Sequence, residues 1–334
     1  MEKEYKWKVA VVCCTYNQSQ YITDALDGFV MQETDFPFVC CIIDDASTDG
    51  EQSVIRRYVE DNFDLKEKGV AFETETDDAT ITFSRHKTNA NCFFAVFCLK
   101  KNLYHNLDKK YGLIAEYENN AKYIALCEGD DYWTSKNKLQ VQNDILDLHE
   151  ELDMCACSAS CVSNKGSIIG HISPSDQQVI FNVEETIIGG GGMFSTNSLL
   201  FRTELYLRPK DFYQCYRLDY YLQIEGALRG GIYYIPEEMC VYRVNANQSW
   251  TMRMSNNPNL YCSHILKMLT TLDILDKGTD YMYHDSIDKK KKIELFDLFQ
   301  AGFRGTYFDF AIDKSRLIDR LKMCCYVLKK MLIG

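Results

Sequence analysis

Three apolar runs, each stopping abruptly in a polar turn and each followed by residues at helical spacing, constrain this chain more than any other feature. Val9 to Cys14 ends in Thr15-Tyr16-Asn17, and Tyr21, Ile22, Ala25, Leu26 and Phe29 then fall on one face of a helix over Ser19 to Val30. Phe38 to Ile43 ends in Asp44-Asp45-Ala46-Ser47-Thr48-Asp49-Gly50, with Val54, Ile55, Tyr58 and Val59 marking the next helix. Tyr123 to Cys127 ends in Glu128-Gly129-Asp130-Asp131-Tyr132-Trp133, before a helix from Lys138 to Leu148. Strands this continuously apolar are covered on both faces, as in parallel sheets crossed by helices. Right-handed crossovers put all three polar turns at the carboxyl ends of the strands, where such sheets bind ligands. The pattern predicts an α/β protein with one polar edge.

The rest of the chain is less regular. Thr80 to Phe83 reads as a strand, Asn91 to Tyr104 as a helix, and Asp108-Lys109-Lys110 as a charged loop. Met154 to Cys161, Val179 to Val183 (weakly), Ser198 to Arg202, Ile232 to Ile235 and Cys240 to Val244 read as further strands, Gly189 to Gly192 as a flexible loop, and Tyr220 to Leu228 as a helix. From about Asn256 the pattern is helical: Leu260 to Leu275, Ile287 to Phe299, Lys314 to Leu332. Two parts follow, a mixed α/β domain over 1–250 and a helical extension over 251–334. The last segment gathers Lys314, Arg316, Arg320, Lys322, Lys329 and Lys330 against Asp319, with Leu317, Ile318, Leu321, Leu328 and Leu332 as an apolar face. A basic amphipathic helix of this kind lies on an anionic membrane surface, or docks on its own domain with the bases in water.

Composition removes several classes. The net charge of −11 disfavours nucleic acid, whose phosphates need a basic face. The charged N-terminus has no signal-peptide h-region, and the longest apolar run, Cys92 to Leu99, is far short of the ~18 residues of a spanning helix. The expected location is cytoplasmic, with peripheral attachment to the inner face of the cell membrane through the Lys314–Lys330 region. The 15 Cys then read as reduced thiols, and there is no CxxC. Cys155, Cys157 and Cys161 are spaced so that three thiols could approach one another. No HExxH, GxSxG, Walker A or GxGxxG motif is present.

Adjacent carboxylates repel unless a donor, a cation or a ligand lies between them. Asp44-Asp45 and Asp130-Asp131 pose that problem twice, at consecutive strand ends. Hard divalent cations such as Mg²⁺ and Mn²⁺ take oxygen ligands and keep waters or substrate phosphates, so short acidic turns suit a metal–diphosphate complex. The plainer alternative is that each pair caps the helix after it.

With these residues in view, the chain resembles the family 2 glycosyltransferases of the GT-A fold, in particular bacterial polysaccharide- or capsule-building members. The matching segments are Val9 to Asn17, Ile43 to Gly50, and Tyr123 to Trp133 with Lys138-Leu139, and weaker likeness reaches Leu218 to Leu222 and Val241 to Val244. The resemblance implies a Rossmann-like, mixed but mainly parallel sheet flanked by helices, followed by the C-terminal helical extension. It implies a nucleotide-sugar site in which Thr15, Tyr16 and Asn17 line the base pocket, Asp44 and Asp45 lie beside it, and Asp45 bonds the base. Asp130 and Asp131 would occupy the DxD-type position on the ribose and on a bound Mn²⁺ or Mg²⁺, with Glu128 where many members carry Asp. Asp219 would be the base of an inverting transfer from a UDP-sugar to a glycan or lipid-linked acceptor. Tyr242-Arg243 and Asn245 to Trp250 would occupy the place where the family often brings a basic or His side chain near the diphosphate, with Asn245 where a His is common. Weaker candidates are His86, Lys87 and Asn89 facing the donor, and Trp133 and Trp250 stacking on sugar rings. Two alternatives remain open at this point: a non-catalytic sugar-nucleotide or glycan-binding protein on the same scaffold, and a nucleotidyltransferase.

Overall fold

The computed structural model describes residues 4–244, 246 and 249–303. In chain order the elements are β1 (Trp7–Thr15), α1 (Ile22–Val30), β2 (Phe38–Asp44), α2 (Glu51–Asn62), β3 (Phe63–Asp64), β4 (Phe72–Glu75), β5 (Ala79–His86) and β6 (Cys92–Leu99). There follow α3 (Leu107–Gly112), α4 (Ala115–Asn119), β7 (Ala121–Leu126), β8 (Tyr132–Trp133), α5 (Lys138–Leu148), β9 (Met154–Val162), β10 (Ile168–Ile172) and β11 (Val179–Phe181). The last are α6 (Val183–Gly189), β12 (Leu200–Arg202), α7 (Thr203–Leu207), α8 (Asp211–Cys215), α9 (Asp219–Ala227), β13 (Ile232–Arg243), α10 (Trp250–Asn256), α11 (Pro258–Gly278) and α12 (His284–Phe303). They fall into two compact units. Among the described residues, the first takes 4–182, 191–208 and 226–246, and the second 183–190, 209–225 and 249–303.

One sheet organises the first unit, in the order β11-β13-β9-β12-β7-β1-β2-β6-β5-β3, with β4, β8 and β10 paired alongside. β7, β1, β2 and β6 run parallel as neighbours, and β9 and β13 form a second parallel pair. β12 joins the two groups by antiparallel pairing to β7 and β9. The residues of β2 are buried throughout and those of β1 nearly so, as their unbroken apolar runs require. The sheet is mixed and mainly parallel with helices against it, as expected.

Three local expectations change. Asp108-Lys109-Lys110, read as a loop, lies in α3, whose start Asn106 caps by accepting from the Lys109 N–H. Residues 92–99 form β6, not a helix, pairing with β2 on one side and β5 on the other. The run Cys-Phe-Phe-Ala-Val-Phe-Cys-Leu has no period because both faces are covered, and its aromatic content favours a strand in the sheet interior. Residues 232–243 form one strand where Pro236 suggests two; the ladder to β9 shifts register between Ile235 and Cys240, and the irregularity accommodates the missing N–H.

The second unit is helical. α8 and α12 pack on α11, and α6 packs on α12. Asn257 caps α11 through a bond from the Leu260 N–H (3.1 Å), with Pro258 opening the helix. The Tyr220 hydroxyl donates to the Ile187 carbonyl (2.7 Å) and the Tyr221 hydroxyl to the Met268 carbonyl (3.0 Å), anchoring the first turn of α9. No described helix is long and apolar enough to cross a membrane. The basic segment from Lys314, Cys324, Cys325 and Asn245 lie outside the described residues.

Candidate active site

The parallel ladder sets the register of the site. Thr15 at the end of β1 lies opposite Asp44 at the end of β2, and the Asp45 N–H donates to the Thr15 carbonyl (3.0 Å). On the other flank the Gly129 N–H donates to the Cys14 carbonyl (3.1 Å). The three polar turns therefore meet at one edge of the first unit. Thr15, Tyr16, Asn17, Asp44, Asp45, Glu128, Asp130 and Asp131 all lie there.

Much of this edge holds itself in shape. Asn17, with φ 55°, accepts from the Thr48 N–H (2.7 Å), while its own N–H donates to Ser47 Oγ (2.9 Å). Asn17 thus ties the first turn to the second and leaves Tyr16, 38% exposed, as the open aromatic surface. Asp44 Oδ1 accepts from the Ser47 N–H (2.9 Å) and Gln52 Nε2 (2.7 Å), but Asp44 Oδ2 is buried without a partner. Asp45 accepts from the Leu103 N–H (2.6 Å) and forms a buried ion pair with Lys110 Nζ (2.8 Å). Removing either charge of that pair would leave the other stranded.

Gly129 fixes the approach of the third turn to the first. A Cβ there would lie 2.2 Å from Thr15 Oγ1 and 2.6 Å from Thr15 Cβ, so only glycine fits. Burial pushes the Asp130 carboxyl above the usual carboxylate range, opposed by a main-chain hydrogen bond, Gln18 and the Arg243 charge. Burial and the neighbouring Asp130 charge push Asp131 well above it, opposed by a hydrogen bond from the Arg243 N–H (2.8 Å). Glu128 is exposed. Arg243 Nε also donates to the Asp130 carbonyl (2.9 Å), and one terminal nitrogen donates to Asp24 Oδ2 (2.9 Å).

Sequence reasoning missed several supports. Glu51 reads as a first-turn acid of α2, yet its carboxylate collects Thr15 Oγ1, the Gln18 N–H (2.9 Å) and Ser47 Oγ (2.8 Å), and burial raises its pKa. Its place one residue after Gly50 looks like ordinary helix capping, so nothing local distinguishes it. Lys110 belongs to a charged stretch whose polarity hides a buried ammonium.

Three weaker candidates are corrected. His86, Lys87 and Asn89 lie where β6 begins, beside the amino end of β2 and so at the edge opposite Asp44. Their side chains are spent locally: His86 Nδ1 accepts from the Asn89 N–H (2.9 Å), Lys87 Nζ donates to the Asp61 carbonyl (2.6 Å), and Asn89 Nδ2 donates to the Gln32 carbonyl (2.8 Å). Trp133 is core, 2% exposed, with Nε1 on the Asn197 carbonyl (2.9 Å) and Lys138 Nζ 4.4 Å from its ring centroid. Cys155, Cys157 and Cys161 alternate along β9 without forming a metal cluster among the described residues; Cys157 instead lies 3.9 Å from Cys240, sulfur to sulfur.

Asp219 opens α9 in the second unit, and its Oδ1 accepts from the Tyr220 N–H (2.9 Å). Trp250, 41% exposed, lies in the same unit with its ring edge-on to His264.

No group of three or more His, Cys, Asp or Glu side chains converges on a point among the described residues. What the chain offers is hard oxygen: Asp130 and Asp131, both uneasy as buried anions without a further cation, with Glu128 beside them. That donor set fits Mg²⁺ or Mn²⁺, which binds through one or two carboxylates and takes its remaining ligands from phosphate and water.

Comparison with known proteins bears on the family and the fold. Residues 10–72 match the family model described as Glycosyl transferase family 2. Uncharacterized proteins of Mycobacterium tuberculosis and Mycobacterium bovis are 28% identical over 269 residues, covering 80% of this chain and 67% of theirs. The crystal structure of S. aureus TarS superposes with a TM-score of 0.52 at 14% identity, over 93% of this chain and 46% of that one, so the chain spans less than half the TarS length. The chain is therefore similar to the family 2 glycosyl transferases over residues 10–72, and its fold, a mainly parallel sheet flanked by helices, is of the GT-A kind shared with TarS.

Proposed function

We propose that the chain is an inverting glycosyltransferase of the hexosyltransferase type. It would move a sugar from a nucleotide-diphosphate donor, a UDP-sugar first among them, to a glycan or lipid-linked acceptor in polysaccharide synthesis. The observation that carries this reading is the meeting of three polar turns at the carboxyl ends of adjacent parallel strands, where an α/β sheet takes its ligand. The family match over residues 10–72 covers two of those turns.

In this reading Tyr16 offers a stacking face for the base, and Asp45, whose two oxygens are held by Lys110 and the Leu103 N–H, would give up one of those partners to bond the base. Asp130 and Asp131, with Glu128, hold the donor's ribose and a divalent cation. Mg²⁺ or Mn²⁺, when bound, neutralises charge on the leaving diphosphate. Asp219 takes the proton of the acceptor hydroxyl as that oxygen attacks the anomeric carbon, which passes through an oxocarbenium-like state. Attack opposite the leaving group inverts the anomeric centre. Asp219 opens α9, and its Oδ1 accepts from the Tyr220 N–H (2.9 Å), which fixes the carboxylate at the start of that helix.

The test is a thermal-shift screen of UDP- and GDP-sugars with and without Mn²⁺, followed by nucleotide release with mixed acceptors. Stabilisation by one donor and turnover with an acceptor are expected, and Asp219→Asn should abolish turnover while donor binding persists. Retained turnover in Asp219→Asn removes it from the base role, and binding without turnover in the unmodified chain makes this a sugar-nucleotide-binding protein. We further propose a cytoplasmic enzyme attached peripherally to an anionic membrane through the Lys314–Lys330 region. Deleting Lys314–Gly334 should release the protein from membrane fractions, and unchanged fractionation would remove that part.

A further inference from the structure

The side chain of Arg243 does something the proposed reaction does not call for. It is the last residue of β13 and 6% exposed, yet it reaches into three separated pieces of the first unit. Its main-chain N–H donates to Asp131 Oδ1 (2.8 Å), its Nε to the Asp130 carbonyl (2.9 Å), and a terminal nitrogen to Asp24 Oδ2 on the first turn of α1 (2.9 Å). The guanidinium carbon lies 4.4 Å from the Tyr21 ring centroid and 5.4 Å from that of Tyr132. Contact with two aromatic faces restrains the guanidinium, and the restraint limits where its donors point.

A cation bound for a diphosphate would keep its fork open to solvent. This one directs Nε at a peptide carbonyl inside the acidic turn and a terminal nitrogen at an acid on a neighbouring helix. We infer that Arg243 is a positioning residue: a strut from α1 through the Asp130-Asp131 turn to β13 that sets the orientation of the two carboxylates before any cation arrives. A Lys could supply the charge but neither the fork nor the aromatic stacking, so the role belongs to arginine geometry. The inference rests on the glycosyltransferase reading, because it assigns the turn a cation and a nucleotide to receive.

The roles separate by experiment. UDP is titrated by calorimetry into the full-length chain, alone and with Mn²⁺, for the unmodified protein and for Arg243→Lys, Arg243→Gln and Asp24→Asn. Outer partners that orient metal-binding carboxylates typically weaken metal-dependent binding about tenfold or more when changed. Arg243→Lys should therefore lose most of the Mn²⁺-dependent gain in UDP affinity while affinity without Mn²⁺ stays the same. Asp24 has a half-exposed side chain, so Asp24→Asn removes only the far anchor, with a smaller loss of the same kind and an intact melting transition. If affinity falls equally with and without Mn²⁺, Arg243 touches the diphosphate itself and the inference is overturned. It is overturned too if Arg243→Lys matches the unmodified protein. Should Arg243 variants fail to melt cooperatively, Asp24→Asn decides alone. If the unmodified chain binds neither UDP nor GDP with Mn²⁺, the glycosyltransferase reading itself has failed.

Discussion

Single side chains at the polar edge do two kinds of work, and separating them shows what a substitution would break. Asn17, Glu51 and Gly129 shape the edge, whereas Tyr16 and Glu128 are exposed on it. Gly129→Ala would force its new methyl into the Thr15 side chain, and overpacking of this sort costs about 1–3 kcal/mol. A melting temperature lowered by several degrees together with weakened nucleotide binding is expected, and a variant that melts and binds normally would show that the turn has slack. Glu118 in α4 makes a different test. It is 8% exposed with Oε1 lacking a hydrogen bond, and burial pushes its pKa from 4.5 to about 7. Because the folded value is the higher one, its contribution to stability is fully present below about pH 4.5 and is lost as the pH rises through about 7. At 1.36 kcal/mol per unit the full effect is about 3 kcal/mol. Glu118→Gln should therefore gain in melting temperature over the unmodified protein between pH 5.5 and pH 8.5, and a difference that does not move with pH would mean that the carboxyl is solvated. The acids of the three motifs were legible in the sequence because they interrupt apolar runs. Glu51 and Lys110 were not, since Thr15 and Asp45, which they hold, lie 36 and 65 residues away; Arg243 lay within the family likeness, but its hold on the acidic turn, 112 residues away, was not legible.

Among the elements, β1, β2, β7 and α5 follow their sequence patterns closely, because each run is bounded by residues that can only be turn or cap. β6 departs from its pattern for a physical reason: an apolar run covered on both faces carries no period, and which neighbours cover it is decided by pairing to β2 and β5. α1 depends on a contact that no pattern reveals. A Cβ at Gly28 would lie 2.9 Å from the Trp133 nitrogen, so the helix and the strand after the acidic turn meet main chain to side-chainless residue. In the second unit the start of α11 depends on Asn257 accepting from the Leu260 N–H. Asn257→Ala should cost about 1 kcal/mol, as loss of such a cap does, seen as a small fall in melting temperature without a change in nucleotide binding. Altered nucleotide affinity would show that this cap matters beyond its own helix.

At the scale of the molecule, the sequence divides near residue 250, whereas the compact units are discontinuous in sequence: residues 183–190 and 209–225 pack with the helices from α10 onward. Short segments that leave one unit and return to it carry no compositional mark, so this exchange could not be read from the chain. One consequence of the sheet lies outside catalysis altogether. Cys13, Cys40, Cys41, Cys92, Cys127, Cys155, Cys157 and Cys240 are buried thiols on or beside its central strands, and burial holds most of them well above the ordinary thiol pKa. Cys215 is the exposed thiol among those described. Among the described residues, a thiol-specific label therefore meets a graded clock, reacting early at Cys215, more slowly at the half-buried Cys14, Cys98 and Cys161, and at the buried thiols only when strands part. The thiols shut inside the sheet make the molecule its own gauge of how often its core opens.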